Sequence, residues 1–158
     1  MEKGLKVVEF AITQIGVKES PPNSNKVLYN DWFYNSKTYP ASSAWCGTFV
    51  SYCLFMAGFK LPTIDYLRGF AGCPFAVRNL KKWGRLVTVP QAGDVVFFDW
   101  QGDGIFDHTG IFEKDLGGGK FSCIEGNTGL TNDSNGGEVM RRTRSYKTSI
   151  FVRPKSLE

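Results

Sequence analysis

Residues 3–16 carry Leu5, Val8, Ala11, Ile12 and Ile15 at three- and four-residue steps, the period of an amphipathic helix. Gly16 stands where such a helix would stop. The polar run ESPPNSNKV reads as a loop, VLYNDWFYN as a short second helix and SKTYPASSA as another loop. From Cys46 to Ala57, the positions Phe49, Val50, Cys53, Leu54 and Ala57 form one helical stripe, and Gly58 follows where a left-handed cap would sit. Residues 63–83 read as partly helical, IDYLRGFAG and then PFAVRNLKKWG, with Pro74 and Gly84 as breaks.

After Pro90 the period changes. GDVVFFDW, HTGIFEK, KFSCIEGN, GEVMRRTR and IFVRP are short apolar or alternating runs bounded by turn residues, with DLGGG and TNDSNGG between them. Helices followed by a run of strands predict an α+β fold with an antiparallel sheet. No internal repeat or linker interrupts the pattern, so residues 1–156 are expected to form a single domain. Leu157-Glu158 has the look of an expression-vector remnant and is set apart from it.

Composition narrows this picture only a little. The chain has 158 residues, 42% hydrophobic and 15% aromatic, enough for a core without staples. The formal net charge of +4 falls short of a nucleic-acid footprint. The cluster Arg141-Arg142-Thr143-Arg144 is expected to be a solvated strand face. No run of about 18 apolar residues is present to insert into a membrane. MEKGLKVVEFAITQIGVKES has no continuous apolar segment of the secretory kind, so the expected site of synthesis is the cytoplasm.

Four cysteines, Cys46, Cys53, Cys73 and Cys123, lack C-x-x-C spacing, and His108 is the only histidine. A structural zinc site normally needs four ligands in paired spacing, so free thiols and no metal are expected. Cys53 and Cys123 fit buried, inert core thiols, and Cys73, beside Gly72 and Pro74, carries no signal. Cys46 differs because it begins a helix rather than lying within its apolar stripe. A helix N-terminus lowers a thiol's pKa, and its unpaired amides can stabilise an oxyanion.

In a regular strand, Phe121, Cys123, Glu125 and Asn127 share one face, and His108, Gly110 and Phe112 share another. Taken singly, Glu125 and Asn127 read as the start of a polar turn, and a lone histidine reads as structural. If the two strands pair antiparallel, however, the start of one lies beside the end of the other. His108 then meets Glu125 or Asn127, and either would orient the imidazole. A thiol at a helix start, a histidine and an orienter form the usual set for nucleophilic acyl transfer.

The stretches WCGTFVSYCLFMAGF, PQAGDVVFFDW, DHTGIFEK and IEGNTG, in this order, resemble the CHAP family, the cysteine, histidine-dependent amidohydrolases/peptidases. The resemblance runs from about residue 5 to residue 154 and implies a papain-like fold, with N-terminal helices packed on a central antiparallel sheet. It implies a peptidoglycan hydrolase with Cys46 as nucleophile and His108 as base, Glu125 and Asn127 completing the site. Either of the last two could orient His108. The substrate bond would be an amide of the stem peptide or cross-bridge, or that between muramic acid and alanine, the bond cut by an amidase. A wall-binding domain that keeps the fold without the chemistry is the reading from another class.

The lead-in IGVKESPPNSNKV is similar to that of phage endolysins and tail lysins. That similarity implies a monomer, alone or within a multidomain lysin, acting on the bacterial wall without membrane insertion or cofactor. A mild positive charge suits approach to an anionic wall polymer. Many CHAP domains carry a calcium loop around the cysteine, with Gln before it. Here Trp45 takes the Gln position in TYPASSAWCGTF, with no acidic residue nearby, so no calcium is expected there and the side-chain oxyanion donor is unassigned. Asp99, Asp103 and Asp107 have an EF-hand flavour but lack that loop's alternating ligands and terminal Glu, and read as an acidic turn.

Overall fold

A computed structural model describes every residue from Met1 to Glu158. The helices come first: α1 (Glu2–Thr13), α2 (Leu28–Tyr34), α3 (Cys46–Met56), α4 (Cys73–Arg78) and α5 (Leu80–Trp83). Six strands follow: β1 (Gly84–Val87), β2 (Val95–Phe98), β3 (His108–Gly117), β4 (Lys120–Thr128), β5 (Glu138–Ser145) and β6 (Ser149–Pro154). They form one sheet in the order β1-β6-β2-β3-β4-β5, every neighbouring pair antiparallel. This is the α+β arrangement expected from the switch in period.

α3 lies at the centre of the molecule, and every residue from Cys46 to Ser51 is buried. Phe49, Val50, Cys53 and Leu54 pack with Val95, Phe97, Ile111, Ile124 and Val152, which project from one face of the sheet. The opposite face carries a second, smaller core of Val96, Phe98, Phe112, Phe121, Cys123 and Phe151. Strands apolar on both faces need cover on both, which explains the continuous burial of Val95–Phe98.

Two local expectations, on IDYLRGFAG and on the end of α1, are corrected. IDYLRGFAG is not helical: Asp65 takes the backbone amides of Ala71 and Gly72 on its carboxylate, at 2.9 Å each, and shapes a turn instead. Beyond the break at Gly84, GRLV forms the edge strand β1, paired with β6. α1 ends at Thr13, three residues before Gly16. At the C-terminal end, Leu157 is buried in the main core and Glu158 pairs with Arg85.

Candidate active site

The site begins with the loop that delivers α3. Asn30 is fully buried, and its side-chain amide donates to Ser43 O at 2.8 Å and Asn25 O at 2.9 Å. Its Oδ1 accepts from Thr48 Oγ1 at 2.9 Å, which ties the loop to the first turn of the helix. Trp45 stacks on Tyr29 and donates Nε1–H to Glu19 Oε2 at 3.0 Å. With both flanks held, Cys46 is the first residue of α3 and is 5% exposed. First-turn amides have no partner within their own helix and are free to face the sulfur or a ligand.

β3 and β4 bring the second half of the site together. Ile111 pairs with Ile124, which sets the start of β3 beside the end of β4. Gly110 carries no side chain, and a Cβ there would come within 2.8 Å of Glu125 Cγ, so glycine leaves room for the carboxylate. Glu125 Oε1 accepts from His108 Nε2 at 2.8 Å, and both side chains are fully buried. The His108 ring lies between neighbours, stacked 5.6 Å from Trp100 and 5.9 Å from Phe98.

Glu125 has three further donors. Arg144 binds it through Nε to Oε2 at 2.8 Å and Nη2 to Oε1 at 2.7 Å, and Cys123 Sγ donates to Oε2 at 2.9 Å. Arg144 also donates to Asp133, as does Arg142, and its guanidinium lies 4.9 Å from the Trp100 ring centre. The arginine cluster expected to be solvated is split by the strand's alternation: Arg141 is exposed, whereas Arg142 and Arg144 are paired and largely buried, with only 10% of the Arg144 side chain exposed. A buried carboxylate needs such partners to remain ionised.

These contacts set the protonation states. Burial alone would raise the Glu125 carboxyl, but Arg144 and His108 outweigh it and hold the group at about 2. An ionised Glu125 can only accept, so Nε2 carries the proton. The other ring nitrogen, Nδ1, is buried and has no hydrogen bond of standard geometry, which leaves it for Cys46. Burial lowers the imidazole pKa, but the Cys46 sulfur and Glu125 raise it further, to about 9. The Cys46 thiol is held well below the ordinary range: Cys73 hydrogen-bonds its sulfur, burial opposes, and His108 and the Gly47 amide add to the lowering. The two shifts run in opposite directions, and both favour a thiolate beside an imidazolium.

Of the four residues picked out in the sequence, the structure unites Cys46, His108 and Glu125. It does not bring Asn127 to His108. The β4–β5 register slips between Glu125 and Thr128, and Asn127 takes a left-handed φ of 55°, which ends the alternation. Its side chain instead accepts from Gly137 N at 3.0 Å and donates to Asn135 at 3.1 Å. Trp45 is turned away toward Glu19, so its indole offers nothing to a bound carbonyl. Asp99 accepts from the amides of Asp103 and Gly104 and shapes the turn before β3. No group of three His, Cys, Asp or Glu side chains is placed to hold a metal ion.

Three contributors went unnoticed in the sequence. Arg144 and Asn30 lie far from Cys46 along the chain, and only packing reveals them. Cys73 sits at the first turn of α4 with its thiol against Cys46.

The model of the CHAP domain matches residues 34–127, a span that holds Cys46, His108 and Glu125. The chain belongs to the CHAP domain family. CHAP domains are in general peptidoglycan hydrolases of amidase or peptidase type. No curated protein matches the chain. Among solved structures, a hypothetical invasion protein of Mycobacterium tuberculosis is similar at 20% identity with a TM-score of 0.52, over 96% of this chain. The chain spans 62% of that protein's length. The likeness is one of fold, and it agrees with the papain-like arrangement of this CHAP domain.

Proposed function

We propose that this CHAP domain hydrolyses an amide bond of bacterial peptidoglycan by acyl transfer through Cys46. The observation that carries the reading is the buried chain Cys46, His108, Glu125 and Arg144, in which Nε2 is committed to Glu125 and Nδ1 is left for the thiol.

In this mechanism the Cys46 thiolate attacks the amide carbonyl carbon. The oxygen acquires negative charge beside the N-terminus of α3, where the Cys46 amide is a donor independent of any side chain. His108 passes its Nδ1 proton to the leaving amine, and the thioester remains on Cys46. Neutral His108 then takes a proton from water, the hydroxide attacks the thioester, and the thiol leaves as thiolate. Glu125 holds the Nε2–H throughout and stabilises the imidazolium.

The favoured bond is one within the stem peptide or cross-bridge, with the muramoyl–alanine amide as the alternative. Assignment to a phage lysin is part of the same proposal and is supported by the resemblance of the N-terminal lead-in. Purified sacculi digested with the protein and analysed by mass spectrometry test the proposal. New amino termini on stem or cross-bridge residues are expected, and Cys46→Ala and His108→Ala should release none. Release by either folded variant, or wall binding by the intact protein with no release, would overturn it.

A further inference from the structure

The chain has four free cysteines, and two of them share one place. Cys46 and Cys73 lie 27 positions apart, on different helices, yet both are buried in the same core cluster and each thiol perturbs the titration of the other. Backbone packing creates the contact. Gly47 faces the carbonyl of Ala71 so closely that a Cβ would come within 2.3 Å of its oxygen. Ser51 and Phe70 lock the same seam: Ser51 Oγ donates to Phe70 O at 2.9 Å and accepts from Phe70 N at 3.0 Å. Asp65 then fixes the amides of Ala71 and Gly72, directly before Cys73.

The two sulfurs are chemically unequal. The Cys46 thiol is shifted down toward thiolate. That of Cys73 is pushed up by its hydrogen bond to Cys46, by burial and by the negative charge of Cys46, Asp107 and Asp65. One is poised to attack and the other stays protonated beside it, the arrangement of a reactive and a resolving thiol. The other two cysteines cannot take the second part: Cys53 is fully buried further along α3, and Cys123 is engaged with Glu125.

We propose that Cys73 is the resolving thiol for Cys46, so that a hydroperoxide converts the pair into a Cys46–Cys73 disulfide that reversibly blocks the nucleophile. The inference rests on Cys46 being the reactive thiolate proposed above. The Cys46 thiolate attacks the terminal oxygen of the peroxide and the O–O bond breaks. This gives a sulfenic acid and an alkoxide or hydroxide, which takes a proton from solvent. The Cys73 sulfur then attacks the Cys46 sulfur, and the S–O bond breaks. The hydroxide leaves with the Cys73 proton as water. The peroxide accepts the two electrons that the two thiols lose, and a dithiol reductant reverses the change. Without a partner thiol, a sulfenic acid under continued peroxide advances to the sulfinic acid, which dithiols do not reduce.

The test treats the full chain with hydrogen peroxide at neutral pH, quenches with an alkylating agent under denaturing conditions, and maps the peptides by mass spectrometry. The expected product is a peptide pair joining Cys46 to Cys73, with the protein about 2 Da lighter and lysis at least about tenfold lower, restored by dithiothreitol. Cys73→Ser and Cys73→Ala should instead gain about 32 Da at Cys46 and stay inactive after dithiothreitol. A wild-type protein that accumulates sulfinic acid at Cys46 while Cys73 is still alkylated would overturn the proposal, whatever the variants do. The peptide map is independent of activity. Absence of lysis before any peroxide would count against the hydrolase reading, and the cross-link would still be decided by mass.

Discussion

Arg144 grips Glu125 with two nitrogens, at 2.7 and 2.8 Å, directly behind the bond that Glu125 makes to His108. The Glu125 carboxylate is therefore held in a fixed plane by a residue one strand away. Arg144→Met should leave a buried charge without its main partner and cost about 3–5 kcal/mol of stability. Arg144→Lys keeps the charge but not the two-pronged geometry, and should lose less. Denaturant unfolding of the three proteins, followed by lysis rates of the folded fractions, checks both orders.

Glu125→Gln is expected to lower the turnover of peptidoglycan by roughly 10²–10⁴-fold, because the amide no longer stabilises the imidazolium. Its effect on stability has a defined sign. The folded-state pKa of Glu125, about 2, lies below its ordinary value of 4.5, so the stabilisation is present above about pH 4.5 and is lost as the pH falls through 2. It amounts to something on the order of 3 kcal/mol. The stability gap between wild type and variant should shrink accordingly in acid, as measured by urea midpoints across that range.

His108 holds its proton up to about 9, so hydrolysis should fall on the alkaline side near that pH as the imidazolium is lost. In Glu125→Gln the same limb should move to lower pH. Alkylation of Cys46 by iodoacetamide reports the other partner. It should remain fast well below the usual cysteine range in wild type, and in His108→Ala require higher pH.

Asn127→Gly tests which residue orients the imidazole. Glycine tolerates the left-handed backbone at this position but removes the two hydrogen bonds to the 129–137 loop. Stability should fall by about 1–3 kcal/mol while kcat stays within about threefold. A loss comparable with that of Glu125→Gln would make Asn127 part of the catalytic set.

Trp45→Gln would restore the residue common in relatives at that position, yet no gain in activity is expected. The indole is fully buried against Tyr29 and partners Glu19, so its removal should cost about 3–5 kcal/mol and free a buried acceptor. Thermal unfolding and lysis by the folded fraction provide the check.

Much of the architecture was legible because it follows from local periodicity. The stripe Phe49, Val50, Cys53, Leu54 marked α3, and the runs after Pro90 marked five of the six strands. GRLV was hidden since its four residues are only partly buried and its strand identity comes from pairing with β6. Cys46, His108 and Glu125 could be placed together from antiparallel logic alone, because alternation holds up to Glu125. It fails two residues later, where the backbone of Asn127 turns left-handed.

By itself, then, the chain determined that helices precede an antiparallel sheet, that one thiol begins a helix, and that the single histidine opens a strand beside a carboxylate. These are properties of neighbouring residues and of a period of two or 3.6. Only the tertiary structure decided that Arg144 packs behind Glu125, that Asn127 does not face His108, that Trp45 answers Glu19, and that Cys73 lies beside Cys46. Each of those contacts joins residues remote in sequence. Burial gives each its energetic weight, because a charge, amide or thiol removed from water must find its partner within the protein.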